Sequence, residues 1–595
     1  MIIRSFFMSL VLLLLLSVSS AGANTALPAA VTTEREMVVT ANPLATMAGA
    51  EILQLGGTAV DAMIAVQAVL GLVEPQSSGI GGGAFIVYFN AATGKLTTLD
   101  AREKAPAAAG KERFLEEDGT PLDFVNAWQS GLSVGVPGVP KLMEYMHQRF
   151  GKLPWQRLFI SAITLAQSGF PLTERTSSQV ASLLSRNPSC ANNDRVFFRD
   201  PVAFDYFAVK EDCTAKPAGT LMRNQAYAET LRQLTRLGAS GFYQGPVAED
   251  IAAAVQGDAN LPGDMTVDDL MNYRVVEREP VCIDYHANQV CGMGPPSSGG
   301  LAVGQILGIL QKRSDLLGAG PLDVKTVHLF TQAGRLAFAD RNQYLADSDF
   351  MTVPVKGMLD KAYIAARAGR ITATDMGTAL PGYPPSYLHD PSAPDRTAKQ
   401  SGTSHISIVD RYGNALAMTT SIESSFGNGV MVRGFLLNNQ LTDFSFAAED
   451  ANGLPVANRV EPNKRPRSSM APTIVLDAAG KVVLITGSPG GSRIIGYTAQ
   501  TIMNILDFGL DPQEAINLPH YMNRNGRTEL EKPVPGATLD YDVNTLAKAL
   551  AGKGHEVGIV DQNSGLSIIQ VIKVNDERRN IGGADARRDG TVEGQ

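Results

Sequence analysis

Blocks of lysine and arginine are absent from this 595-residue sequence. Its 51 Lys and Arg are dispersed among 59 Asp and Glu, for a net charge of −8. A nucleic-acid binder carries a basic face, so that class is excluded. Cysteine is scarce, four residues with no C-x-x-C pair, which argues against a zinc ribbon and a disulfide-dense scaffold. There is no G-x-x-x-x-G-K-[ST] phosphate loop and no H-E-x-x-H. The seven histidines (His147, His286, His328, His389, His405, His520 and His555) are scattered, so no metal cage is visible and neither a metal nor a cofactor is expected. Beyond the N-terminus no stretch reads as a membrane span. Charged residues are only 18% and hydrophobic ones 44%, too apolar for a disordered chain and enough for a sizeable core. The length corresponds to several domains or one large domain with insertions.

Glycine is abundant, 58 residues, above the usual ~7%. The N-terminus has a leader pattern: Arg4, an apolar run from Phe6 to Val18, then Ala21-Gly22-Ala23. The run is shorter than the ~18 residues a bilayer crossing needs. Residues 1–23 are therefore expected to be a secretory signal, with the mature chain starting at 24 and ending up secreted or periplasmic. In that oxidising setting the cysteines should pair. Cys282 with Cys291 and Cys190 with Cys213 is the expected pairing, one of three possible.

The spacing predicts helices from Leu44 to Leu55 and Ala59 to Val73, a glycine-rich loop at 75–83, and a strand pair at 84–90 and 95–100. Residues 110–280 are mostly helical in pattern. Residues 377–402, rich in Pro, Asp, Ser and Gly, form the best candidate for an exposed connector. Hairpins follow at 404–421 and 473–486, and a helix after Ser488-Pro489-Gly490-Gly491-Ser492. A sheet core with helices outside it suits this mix.

Three motifs carry possible chemistry. Gly131-Leu132-Ser133-Val134-Gly135 matches a nucleophile elbow, but a weak strand precedes it and the prolines of VPGVP obstruct a helix after it. Gly79-Ile80-Gly81-x-x-Ala84 has the glycines of a dinucleotide loop in the wrong order, before a strand. The 488–492 turn, between a strand and a helix, offers converging N–H groups for an oxyanion. Thr403 acquires meaning if the chain is cut before it. A terminal threonine holds a hydroxyl nucleophile and an α-amine with a reference pKa near 7.7, close to ideal as its own general base.

The segments TSHISIVDRYGNA, LLNNQLTDFS, NKRPRSSMAPTIV and TGSPGGSR, with LGGTAVDA, VEPQSSGIGGGAF, LDAREKAP, VGVPG, PPSSGG and the terminal GGADARRDG, resemble the γ-glutamyltransferases, the glutathione hydrolase proenzymes, over nearly the whole mature chain. The resemblance implies a four-layer αββα N-terminal nucleophile hydrolase. It would be cut between Gly402 and Thr403 into subunits 24–402 and 403–595 that stay associated as one αββα unit. Thr403 would attack the γ-amide of glutathione or a related compound, with Gly490 and Gly491 holding the oxyanion. The ester would pass to water or to an amino acid or peptide amine. Arg102, Ser468 and Ser469 would bind the α-carboxylate, and Asp443 with Gln440 the α-ammonium. Ser421 stands where the family commonly has threonine supporting the nucleophile, and Glu423 where it commonly has asparagine. The segment between Asp443 and Asn463, the family's lid, is short. Rival readings are a glutaryl or cephalosporin acylase of the same family, a non-catalytic exported binding protein, and a hydrolase using Ser133.

Overall fold

The computed structural model describes residues 27–186, 197–385, 387, 392–395, 402–533, 541–561 and 564–595. The expected leader and Cys190 lie outside them.

Two seven-stranded sheets face each other. One runs in the order Thr591–Gly594, Met37–Thr40, Gly402–Val409, Ala415–Glu423, Gly83–Asn90, Lys95–Ala101, Val276–Arg278. The other runs Val31–Thr33, Glu577–Ala584, Ser567–Val574, Val482–Gly487, Thr473–Leu476, Asn288–Gly292, Val281–Tyr285. Strand pairing in both is antiparallel. Val39, Val87, Val409 and Ala417 of the first sheet meet Ile474, Ile485 and Ile569 of the second, forming the middle of the sandwich. The outer face of the first sheet is covered by Pro43–Gln54, Ala59–Val73 and Val139–Phe150. That of the second is covered by Gly299–Lys312, Val324–Tyr344 and Ile494–Leu506. Central strands are buried on both faces, so GAFIVYFN reads as a continuous apolar run without alternation.

Local signals account for the helix starts. Asn42 accepts from the Leu44 N–H at 3.0 Å with Pro43 in the first turn. Thr58 and Asp61 form a reciprocal capping box. The prolines after Ser133 do not prevent a helix: Val139–Phe150 begins there with Pro140 in its first turn, where the missing N–H costs nothing. The helix Gly299–Lys312 begins within the PPSSGG segment, on its two glycines. Cys282 and Cys291 are disulfide-bonded across the 281–292 hairpin. Among the described residues no helix is long and apolar enough to cross a membrane.

A buried histidine pair joins the segments on either side of residue 402. The His328 Nε2–H donates to the Thr372 carbonyl at 2.9 Å, which leaves Nδ1 to accept from His555 at 2.7 Å. His555 Nδ1 in turn accepts from the Thr528 hydroxyl at 2.8 Å. Both rings are neutral in this chain of bonds. Burial pushes His555 down to about 4, with Asp375 opposing and His328, Arg335 and Lys553 reinforcing; burial lowers His328 as well. A depressed folded-state pKa gives stability that is complete above ~6.5 and lost as pH falls toward 4. In thermal melts, His555→Gln should therefore show a shallower loss of Tm between pH 6.5 and 4, by about one proton. Its Tm at pH 7.5 should fall by about 1–2 °C, since a loss of ~2 kcal/mol acts on the large unfolding entropy of a chain this long. An unchanged slope would show that other groups set the acid limit.

Candidate active site

Thr403 lies at the start of the buried strand Gly402–Val409, whose partner is Ala415–Glu423. Their register shifts between Gly402 and Ser404, which sets two residues, Ser421 and Ile422, opposite Thr403. Such a bulge re-aims side chains at a sheet edge. The Ser421 hydroxyl donates to the Gly402 carbonyl at 2.6 Å and accepts from the Glu423 N–H at 2.9 Å. It lies 3.3 Å from Thr403 Oγ1. Since its one hydrogen goes to Gly402, the Thr403 hydroxyl is the donor in that pair. The neighbouring backbone comes very close: a Cβ on Gly82 would stand 2.1 Å from the Ser421 carbonyl. The glycines of the 79–83 loop thus serve backbone packing beside the nucleophile.

The cavity in front of Thr403 is lined by Arg102, Arg341, Gly402, Ser421, Glu423, Gln440, Asp443, Arg467, Ser468, Ser469, Gly491 and Ser492, among others. Of the residues that the resemblance assigns to cleavage, catalysis or donor binding, only Gly490 is not on its wall. Its volume is about 30 Å³, room for a water or two. Among the described residues no histidine lines it. His405, two residues from the nucleophile, is sealed between the sheets, bonded to Thr419 and Ser407 and held down to about 3 by burial.

Gly490 and Gly491 both have positive φ, 132° and 58°. Among the described residues neither backbone N–H donates to an acceptor, as expected of groups awaiting an oxyanion. A Cβ on Gly490 would strike the Tyr497 ring at 2.7 Å, which explains the requirement for glycine there.

The charged groups answer one another. Arg102 Nη2 donates to Asp443 Oδ2 at 2.5 Å, and its Nε and Nη2 donate to the Pro466 and Arg467 carbonyls at 3.2 Å. Gln440 donates to the same Asp443 oxygen at 2.8 Å. Glu103, behind Arg102, is pushed up to about 8 by burial, so it is protonated at neutral pH and leaves the guanidinium to Asp443. Ser468 Oγ accepts from the Met470 N–H at 3.1 Å and Ser469 Oγ from Arg341 Nη2 at 2.7 Å. Among the described residues neither hydroxyl hydrogen has an acceptor. Glu423 has φ 78°, a left-handed conformation that asparagine tolerates far better than glutamate. Its carboxylate accepts from Ser424 Oγ and from Asn439 Nδ2, the latter at 2.9 Å.

Two residues escaped the sequence reading. Arg588 donates to the Thr403 carbonyl at 2.7 Å, and Asn438 ties the 3₁₀ turn of Gln440–Asp443 to the carbonyls of Gly81 and Gly135 at 2.8 Å. Only the motif context of GGADARRDG and NNQLTD hinted at them. Ser133 takes no part in this chemistry: buried, the last residue of the 3₁₀ turn Gly131–Ser133, it donates to the Trp128 and Ser130 carbonyls.

The family model described as gamma-glutamyltranspeptidase matches residues 45–595. The chain belongs to this family. The glutathione hydrolase proenzyme of Bacillus subtilis (strain 168) is 34% identical over 572 residues, covering 94% of this chain and 91% of that protein. The glutathione hydrolase proenzyme of Pseudomonas sp. (strain A14) is 36% identical, covering 82% and 81%. Among solved structures, a cephalosporin acylase from Bacillus halodurans superposes with a TM-score of 0.81 at 28% identity, covering 97% of this chain and 99% of that one. The Helicobacter pylori gamma-glutamyltranspeptidase gives 0.52 at 33% identity, over 59% and 96%. The four-layer αββα architecture is thus that of an N-terminal nucleophile hydrolase, and the chain is an enzyme of the gamma-glutamyltranspeptidase family.

Proposed function

We propose that this protein is a self-processing γ-glutamyl hydrolase and transferase, acting on glutathione and related γ-glutamyl amides. The observation that carries this reading is the Thr403 hydroxyl poised beside a hydrogen-bonded Gly402 carbonyl, in a cavity that no histidine lines among the described residues. In the precursor, Ser421 polarises the Gly402 carbonyl and accepts the Thr403 hydrogen bond. Thr403 Oγ1 attacks the Gly402 carbonyl carbon. The C–N bond breaks, the nitrogen takes the proton, and water hydrolyses the resulting ester. The freed α-amine then serves as base for the same hydroxyl. In turnover Thr403 attacks the γ-carbonyl of the donor, the N–H groups of Gly490 and Gly491 hold the oxyanion, and the amine product leaves with the proton. Water or an amino acid or peptide amine takes the γ-glutamyl group from the ester.

For the donor's zwitterion, Arg102, Ser468 and Ser469 receive the carboxylate and Asp443 with Gln440 the ammonium, so the Arg102–Asp443 pair opens as substrate enters. Glu423 adds a second carboxylate on the ammonium side. The leader and the Cys282–Cys291 bond support export to the periplasm or beyond. The likeness to a cephalosporin acylase favours one rival, a deacylase of glutaryl side chains. A glutaryl donor lacks the ammonium that Asp443 and Gln440 would bind. Comparing turnover of γ-glutamyl and glutaryl p-nitroanilides by the purified enzyme tests the reading. The γ-glutamyl compound should be preferred by about 100-fold, the worth of a charge-assisted pair. Preference for the glutaryl compound would overturn the proposal.

A further inference from the structure

Arg341 lies near the C-terminal end of the helix Val324–Tyr344. It is only 7% exposed and sits on the wall of the Thr403 cavity. Buried guanidinium groups are ordinarily matched by carboxylates. The others on this wall are: Arg102 by Asp443 and Arg467 by Asp395. Arg341 has no such partner among the described residues. Its bonds go to neutral oxygens instead: Nε to Ser298 Oγ at 2.9 Å, Nη1 to Asn342 Oδ1 at 2.9 Å, and Nη2 to Ser469 Oγ at 2.7 Å.

Two of these partners lead to the paired serines. Ser298, in the PPSSGG loop, donates to the Ser468 carbonyl through both its hydroxyl (2.6 Å) and its N–H (2.8 Å). The same loop receives the Ser468 N–H at the Pro296 carbonyl, 3.0 Å away. Arg341 therefore holds Ser469 directly and Ser468 through Ser298. By donating to Ser469 Oγ it makes that atom an acceptor, so its hydrogen is left for something else in the cavity.

We propose that Arg341 is a positioning and specificity-determining residue for the donor's carboxylate. It leaves the Ser469 hydrogen for the bound anion and supplies a positive charge that no carboxylate among the described residues contacts, which an anionic donor neutralises. This rests on the γ-glutamyl reading above. An uncharged donor would leave the buried guanidinium unmatched, so selectivity resides as much in what the site rejects as in what it holds.

The test measures kcat and KM for L-γ-glutamyl p-nitroanilide and for its α-carboxamide analogue in wild type, Arg341→Gln, Arg341→Lys and Ser469→Ala, and in Ser469→Ala combined with Arg341→Lys. Wild type should prefer the carboxylate donor. In Arg341→Gln that preference should shrink about tenfold or more, chiefly through KM. Arg341→Lys, which keeps the charge without the fork, should restore part of it. In the Ser469→Ala background, Arg341→Lys should change the preference less than about twofold, because the residue it acts through is gone. Equal losses on both donors in Arg341→Gln, or an unchanged preference, would overturn the proposal and mark a purely structural residue. If Arg341→Gln yields no folded enzyme, Ser298→Ala, which frees one anchor of the guanidinium, decides the matter by the same ratio. Wild-type enzyme that turns over neither anilide would instead refute the γ-glutamyl reading itself.

Discussion

Thr403→Ala should yield one uncut chain where the parent yields two, and turnover of γ-glutamyl donors should fall by at least about 10⁴-fold. Intact-mass analysis and N-terminal sequencing read the first effect; the parent's smaller fragment should begin Thr-Ser-His. Cleavage needs a nucleophile against the Gly402 carbonyl, and Thr403 Oγ1, hydrogen-bonded to the serine that polarises that carbonyl, is the one in place. Turnover needs a base, and among the described residues the cavity wall contains no histidine. Both tasks fall to the same residue once its amine is free. The substitution removes a hydroxyl and a methyl without disturbing the Ser421–Gly402 bond, so folding should survive. Thr403→Ser should still cut and turn over, more slowly, since only the methyl is lost. Two chains from Thr403→Ala would refute self-cleavage by this residue.

Arg102→Gln should leave cleavage intact but lower kcat/KM for a γ-glutamyl anilide by about 10³-fold, mainly through KM. In the empty site Arg102 and Asp443 neutralise each other at 2.5 Å. With donor bound, each should exchange its partner for one end of the zwitterion, so binding replaces one matched pair by two. Removing the guanidinium takes away the carboxylate's main partner and leaves Asp443 to hold an ammonium with no cation behind it. The neighbouring Glu103 does not compensate, because it is protonated at neutral pH. Arg102→Lys should recover only a fraction, since one ammonium cannot reach Asp443 and both carbonyls as the fork does. A donor without the α-carboxylate should lose little in Arg102→Gln. Equal loss for both donors would mean that Arg102 supports the fold, through the Pro466 and Arg467 carbonyls, more than it reads the substrate.

Contiguous motifs were legible from residue order. The first helix followed from Asn42-Pro43, the second from an apolar, alanine-rich run, and the hairpins from period and turn residues. Gly490 and Gly491 stood out where a strand gives way to a helix, whereas Thr403, at the start of a strand, was marked only by the resemblance to a family that is cut before this residue. Local chemistry writes such features into adjacent residues, so no long-range knowledge is required. The apparent obstacle at Pro140 shows the limit of the rule: proline stops a helix only where an N–H is needed, and the first turn needs none.

Other features depend on residues brought together across hundreds of positions. Neither the strand order, which sets Gly402–Val409 between segments from the start and the middle of the chain, nor the bulge opposite Thr403 has a signature in any short window. The Arg102–Asp443 pairing, the grip of Arg588 on the Thr403 carbonyl and the link from Arg341 to Ser469 are likewise products of packing. An isolated arginine in a sequence is ordinarily a solvated charge, and burial alone turned these three into parts of a site. Residue order names the chemical groups; which of them share a low-dielectric cavity, and therefore act on one another, is settled when the two sheets close.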